Sequence, residues 1–191
     1  VVLLALDNIG VNVTALVASL GIGGIAVALA VQNILSDLFA SLSIAIDKPF
    51  VIGDFITVDD LAGTVQHVGL KTTRIHSLSG EQLVISNNDL LKSRIHNYKK
   101  MQERRIVFSV RIAYDASAQQ LAQVPTLIKQ TIDALPLARF DRSHFKEFGS
   151  YALNFETVYF VRSPDYNVYM DLQQAINLQL FHTFSEHKIA F

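Results

Sequence analysis

From Asn8 to Ser36 the chain carries no charged side chain, a run longer than the ~20 mostly apolar residues that take a helix across a bilayer. The pattern inside the run is helical. At about 3.6 residues per turn, Ala18, Ile22, Ile25, Leu29 and Gln32 fall on one stripe. Gly21, Gly24 and Ala28 lie to one side of it, and Gly23, Ala26 and Ala30 to the other. Leu20, Val27, Val31 and Ile34 form the back. Two flanks of small residues let a helix pack closely against a neighbour on each side. Such a helix suits a ring of identical copies with the first stripe turned to the axis, and a ring of helices in a membrane is a pore. Asp7 and Asn8-Ile9-Gly10 predict a turn before the helix, with Asn12 or Thr14 as its cap. Beyond Asn33 the helical period continues through Ile44 but gains polar positions, so a bend near Asn33 would lay an amphipathic half-helix along the membrane interface. Asp47-Lys48-Pro49 stops it.

After Pro49 the period changes from helix to strand. Val51-Ile52, Phe55–Val58, Gly63–Val68, Thr72–His76 and Gln82–Ile85 are apolar or β-branched pieces. Gly53-Asp54, Asp59-Asp60, Gly69 and Ser79-Gly80 punctuate them. Five short strands of this kind predict a small β barrel. From Arg104 the order is strand, helix, strand, strand, helix: Ile106–Ile112, about Ser117–Ala134 with Pro125 inside it, around Ser143–Phe148, Ala152–Val161, and Asn167–His187. That order predicts an α+β sandwich, ferredoxin-like in outline.

Other readings of the first segment stand beside the pore. An uncharged run of this length also suits a buried core helix, and one small-residue stripe alone suits a tight helix pair. Gly21-Ile22-Gly23-Gly24-Ile25-Ala26 matches the G-x-G-x-x-A of a dinucleotide-binding oxidoreductase. The helix that should follow those glycines has only Gln32 and Asn33 as polar residues up to Leu35, so it lacks a solvent face.

Composition sharpens the division. The 191 residues include 16 Lys plus Arg and 17 Asp plus Glu, with 50% hydrophobic and no Cys. The apolar content excludes a disordered chain, and the missing Cys excludes a disulfide scaffold and thiolate metal sites. Residues 1–47 carry only Asp7, Asp37 and Asp47, and all 16 basic residues follow, which predicts a cytoplasmic location for what comes after the helix. Lys92, Arg94, Lys99, Lys100, Arg104, Arg105 and Arg111 make a basic stretch opposed by Glu103. With Tyr98 and His96 beside it, this stretch and the small barrel admit an RNA-binding Sm-like module. The aromatic platform for stacked bases is thin, so a solvated or portal-lining role is the better reading.

No G-x-S-x-G, Walker loop or H-E-x-x-H occurs. His182 and His187 miss the i, i+4 spacing of a helical metal pair, and Asp59-Asp60 reads as a turn. The expectation is no enzyme, no cofactor and no metal. Val1 opens the chain without Met and Ile189-Ala190-Phe191 closes it on apolar residues, which predicts a segment of something longer.

The stretch from Gly21 to Asn33 resembles the pore helix of the small-conductance mechanosensitive channel (MscS-like) family. The blocks that follow resemble it too: Pro49–Ile56, Gly63-Thr64-Val65, Thr72–Ile75, Val84–Asn87 and Ile95-His96-Asn97. The resemblance implies a pore-lining transmembrane helix with a bent amphipathic continuation over 1–48, an Sm-like five-stranded β domain over 49–100, and a cytoplasmic α+β domain over 101–191. It implies a homo-oligomer, a heptamer, in the inner (plasma) membrane and multi-pass in the whole protein, with residues after about 48 cytoplasmic. Its partners would be its own copies, membrane lipid, and permeating ions and small solutes, with no nucleic acid. Membrane tension would open the pore on hypo-osmotic shock.

Carried over by position, Ile25 and Leu29 fall on the family's hydrophobic constriction rings. Ala18, Ile22 and Gln32 face the pore, and Gly21, Gly23, Gly24, Ala26, Ala28 and Ala30 are packing positions. Asn33 and Ser41 stand where the family's best-known member has hinge glycines, and Ile85-Ser86-Asn87 replaces the common Ile-Pro-Asn. Lys92, Arg94, Lys99, Lys100, Arg104 and Arg105 would line the vestibule or its portals.

Overall fold

The computed structural model describes residues 12–191, so the turn expected at Asp7–Gly10 lies outside the described residues. The chain divides into two compact units, one ending at Asn97 and the other beginning at Tyr98.

The first unit opens with α1, Val13–Asp47, a single helix of 35 residues. Asn12 caps it: Oδ1 accepts from the Ala15 amide at 2.9 Å. The helix ends where Lys48 turns left-handed at φ 46 and its N–H returns to the Ile44 carbonyl, with Pro49 barring a further turn. The helix runs on through Asn33 and Ser41 without interruption. Asn costs only a few tenths of a kcal/mol in a helix interior and still supplies its N–H, so it need not break one.

Five antiparallel strands follow: β1 (Phe55–Val58), β2 (Leu61–Val68), β3 (Thr72–Ser77), β4 (Gln82–Ser86) and β5 (Ile95–Asn97), in the order β4-β3-β2-β1-β5. β1 alternates half-buried and buried, sending Ile56 and Val58 inward with Val65 of β2 and Ile75 of β3. Ile44 and Phe50 close this core, so the foot of α1 is part of the β domain's interior.

Three local expectations are corrected. Val51-Ile52 is a turn, because the Asp54 carboxylate accepts from the Val51 amide at 3.0 Å and Gly53 adopts φ 91. Residues Asn87–Lys92 form a short helix, α2, where the sequence pattern named no element. β5 was not foreseen, and it pairs Ile95–Asn97 with Ile56–Val58.

The second unit is β6 (Arg104–Ile112), α3 (Ala118–Asp133), β7 (Ala138–Phe148), β8 (Leu153–Val161) and α4 (Tyr166–Glu186). The strands pair antiparallel in the order β6-β8-β7, the arrangement of a ferredoxin-like sheet with three of its four strands. A capping box fixes the start of α3, Ser117 accepting from the Gln120 amide and Gln120 accepting from the Ser117 amide. Ile128, Ile132, Phe155, Tyr159, Ile176 and Phe184 form the core between the helices and one face of the sheet. β7 begins at Ala138, five residues before the expected start. Arg139, Asp141 and Arg142 hide its alternation, and a bulge between Phe140 and Arg142 shifts its phase.

Candidate pore helix and its charged surroundings

From Asn12 to Leu35 every side chain of α1 is exposed except Val13 and Leu16, which are half-buried. Burying large apolar side chains is worth about 1.5–3 kcal/mol each, so a helix presenting this many needs lipid or other helices around it. Ile25 and Leu29 are 63% and 65% exposed and sit one turn apart on the same face. Ala18, Ile22 and Gln32 share that face, and all three are exposed. Gly21, Gly23 and Gly24 have open space where a Cβ would stand, and Ala26, Ala28 and Ala30 are likewise bare. The helix therefore carries every predicted pore and packing residue, and within one chain none of them is covered. Of the two hinge positions, Asn33 is exposed and Ser41 half-buried.

The Gly21–Ala26 motif lies in the middle of this helix. A dinucleotide fingerprint needs a strand, a tight turn and then a helix start, so the oxidoreductase reading loses its geometry.

Lower on α1 the surroundings change. Asp37, Ala40 and Ile44, spaced three and four apart, are buried against the β domain. Asp37 was not singled out from the sequence; the signal available was a lone carboxylate in the otherwise uncharged stretch from Val13 to Ile46. Its Oδ1 accepts from Ser86 Oγ at 2.7 Å and from the Asn88 amide at 3.3 Å.

The six basic positions are split between the units. Lys92 ends α2 and Arg94 precedes β5 in the first unit. Lys99 and Lys100 occupy the turn before β6, and Arg104 and Arg105 begin that strand. Arg104 is turned inward: its guanidinium lies 5.6–6.0 Å from the rings of Tyr98, Tyr166 and Tyr169 and donates to the Pro164 carbonyl at 3.1 Å. These tyrosines close on an arginine of the same chain, which weakens the case for a base-stacking platform.

Elsewhere in the second unit, charge is paired locally. Glu156 is clamped by Lys146 at 2.6 Å and Arg142 at 2.8 Å, and the hydrogen bonds from Lys146 and then Arg142 hold its carboxyl below the usual range. Glu103 is held low by its hydrogen bond from Arg139, at 2.7 Å. Burial pushes the Tyr159 phenol above its ordinary value, and its OH donates to Gln173 Oε1 at 2.9 Å. Among the described residues no cluster of three or more His, Asp or Glu side chains is placed to hold a metal.

A long apolar helix seated by its foot on an antiparallel β domain, with a ferredoxin-like α+β unit next in sequence, defines a membrane-helix protein of the channel type. The family models agree. Mechanosensitive ion channel, transmembrane helices 2/3, matches residues 1–32; mechanosensitive ion channel, beta-domain, matches 33–100; and mechanosensitive ion channel MscS, C-terminal, matches 106–191. The small-conductance mechanosensitive channel MscMJ of Methanocaldococcus jannaschii is 33% identical over 189 residues, which is 98% of this chain and 54% of that relative. The large-conductance channel MscMJLR of the same organism is 32% identical over 194 residues, 99% of this chain and 54% of that relative.

Among solved structures, the crystal structure of Helicobacter pylori MscS in a closed state superposes with a TM-score of 0.75 at 28% identity, covering 94% of this chain and 72% of that one. Arabidopsis thaliana MSL1, by cryo-EM, gives 0.84 at 20% identity over 99% of this chain and 69% of that one, a likeness of fold. The chain belongs to the MscS family of mechanosensitive ion channels, which is not a family of enzymes. It spans about half the length of the curated relatives it matches.

Proposed function

We propose that this chain is the pore-forming part of a tension-gated channel subunit, which opens under hypo-osmotic shock to release ions and small solutes. The observation that carries the reading is the upper part of α1: long enough to span a bilayer, exposed from Val17 to Leu35, and bearing Ile25 and Leu29 one turn apart. In a ring of copies those two residues form stacked apolar collars about 6 Å apart along the axis. Water in a narrow apolar collar loses hydrogen bonds without replacement, so the column empties and ions meet a desolvation barrier.

Ala18, Ile22 and Gln32 line the same axis, while Gly21, Gly24 and Ala28 on one flank meet Gly23, Ala26 and Ala30 of the next copy. The copies form a homo-oligomer, a heptamer, in the inner membrane. Residues 1–48 serve as pore helix, 49–100 as β domain and 101–191 as cytoplasmic α+β domain. Asn33 or Ser41 is where the pore helix flexes during gating. Lys92, Arg94, Lys99, Lys100 and Arg105 bias ion entry through the cytoplasmic vestibule, with Arg104 contributing from its tyrosine cage.

Patch recording of the whole protein in liposomes tests the reading. Stepwise suction should evoke unitary currents absent from protein-free patches. Silent patches containing assembled protein would overturn it.

A further inference from the structure

Arg104 Nε is buried and meets no hydrogen-bond acceptor among the described residues. A charged group withdrawn from water needs a replacement for it. Three rings supply one: Tyr98, Tyr166 and Tyr169 stand 5.8, 5.6 and 6.0 Å from the guanidinium carbon. Nη2 completes the set by donating to the Pro164 carbonyl at 3.1 Å. Tyr166 and Tyr169 meet edge to face with 5.4 Å between ring centres, which fixes that wall of the cage.

The rings come from two places in the chain. Tyr166 and Tyr169 belong to the first turn of α4, whereas Tyr98 opens the second unit just ahead of β6. The Tyr98 ring therefore folds the stretch before Arg104 back onto the strand. Within that stretch the Met101 amide donates to the Tyr98 carbonyl at 3.3 Å. The far end is held by Glu103, which accepts from Arg139 Nη2 at 2.7 Å, and Arg139 in turn lies 4.2 Å from the centre of the Phe160 ring. The turn is thus fastened at both ends to the body of the second unit, and between the fastenings stand Lys99 and Lys100, both exposed. A charge on a fixed turn acts on one place, whereas a charge on a loose turn spreads its field over everything it visits. Salt screens an exposed charge within ~8 Å at physiological ionic strength, so a small displacement of the turn changes what a passing ion meets.

We propose that the Arg104 cage is a clasp that fixes the Lys99-Lys100 turn to the second unit, and that Tyr98 and Arg104 thereby set how strongly those two lysines favour anions entering the cytoplasmic end of the pore. This rests on the channel reading above. Arg104 and Tyr98 are positioning residues: they act through the place they give to Lys99 and Lys100. Tyr98 carries the test because it bears no charge, whereas replacing Arg104 deletes a cation together with the clasp.

Patches of the whole protein in liposomes under a KCl gradient give the anion-to-cation permeability ratio from the reversal potential. Lys99→Gln/Lys100→Gln should lower that ratio. Tyr98→Leu should lower it by about half as much or more, and should add nothing when both lysines are already replaced. Tyr98→Phe keeps the ring face and should match wild type. In the assembled protein, amide hydrogen exchange over residues 99–103 should rise roughly tenfold in Tyr98→Leu and in Arg104→Gln, with α3 unchanged. A wild-type ratio in Tyr98→Leu or in Lys99→Gln/Lys100→Gln would overturn the clasp. So would a Tyr98→Leu shift that persists in full without the lysines, a Tyr98→Phe shift as large as that of Tyr98→Leu, or unchanged exchange in both cage variants. Should wild type carry no tension-evoked current, the channel reading fails, while exchange still decides whether the cage fastens the turn.

Discussion

Gly63 and His76 lie against one another on adjacent strands with no room for a side-chain carbon between them. A Cβ at residue 63 would press into the His76 carbonyl oxygen, with the carbonyl carbon and Ile75 Cγ2 each 2.8 Å away. These contacts are backbone and core, so neither can swing aside. Gly63→Ala should therefore push β2 and β3 apart and cost about 1–3 kcal/mol, the usual range for overpacking. A lowered thermal midpoint of the assembled protein checks it. Gly63→Ala with wild-type stability would mean that the strands separate more easily than their register suggests.

The glycines of α1 behave oppositely. Nothing lies within 4 Å of a Cβ built at Gly24, so a single chain can take a large side chain there. Gly24→Leu should leave the β domain and the second unit folded as before. It should lower the yield of oligomer or move the opening tension, because the clash arises only between copies. Size-exclusion chromatography with light scattering, beside circular dichroism, separates the two effects. Wild-type assembly together with wild-type gating would remove the two-flank packing.

Leu29→Ser tests the collar. A hydroxyl restores hydrogen-bond partners for water at the constriction and lowers the desolvation barrier. The variant should conduct at lower tension and slow growth at ordinary osmolarity. Were Leu29 only a packing residue, the same change would weaken assembly and reduce current. Single-channel recording at matched expression distinguishes them.

Tyr159 offers a measurement independent of the membrane. Its phenol is raised by burial, so the folded state favours the neutral form. Its contribution to stability is complete below the unfolded value of about 10 and declines as pH rises from there toward the higher folded value. Phenolate absorbance should show a late component in wild type that is missing in Tyr159→Phe. A wild-type titration that already lacks the late component would contradict the buried phenol.

The long elements were legible because their periodicity is strong. The α1 stripes, the strands ending in Val58 and Val68, and the helix ending near Glu186 all announce themselves through spacing. What escaped notice was short or fixed from a distance. Asn87–Lys92 spans too few residues to display a helical period, and it forms because Ser86 caps it and Asn87 is buried beneath it. Ile95–Asn97 is a strand only because β1 lies beside it: Asn97 Nδ2 reaches the Asp54 carboxylate at 2.8 Å and the Pro49 carbonyl at 3.0 Å. Asp37 is the plainest case. Its importance lies in Ser86 and Asn88, and nothing local in the sequence names those partners.

The length of α1 has a mechanical consequence. Its 35 residues extend roughly 50 Å, whereas the apolar layer of a bilayer is ~30 Å thick. Even standing upright, such a rod leaves about 20 Å of itself outside the lipid tails. The seat formed by Asp37, Ala40 and Ile44 lies on the part nearest the β domain, so a tilt within the membrane arrives there as a sideways displacement. Over a 20 Å arm, a tilt of about 15° sweeps roughly 5 Å, comparable to one helical turn. The helix is thereby a lever as well as a wall, turning a change of angle in the bilayer into a stroke at the sheet.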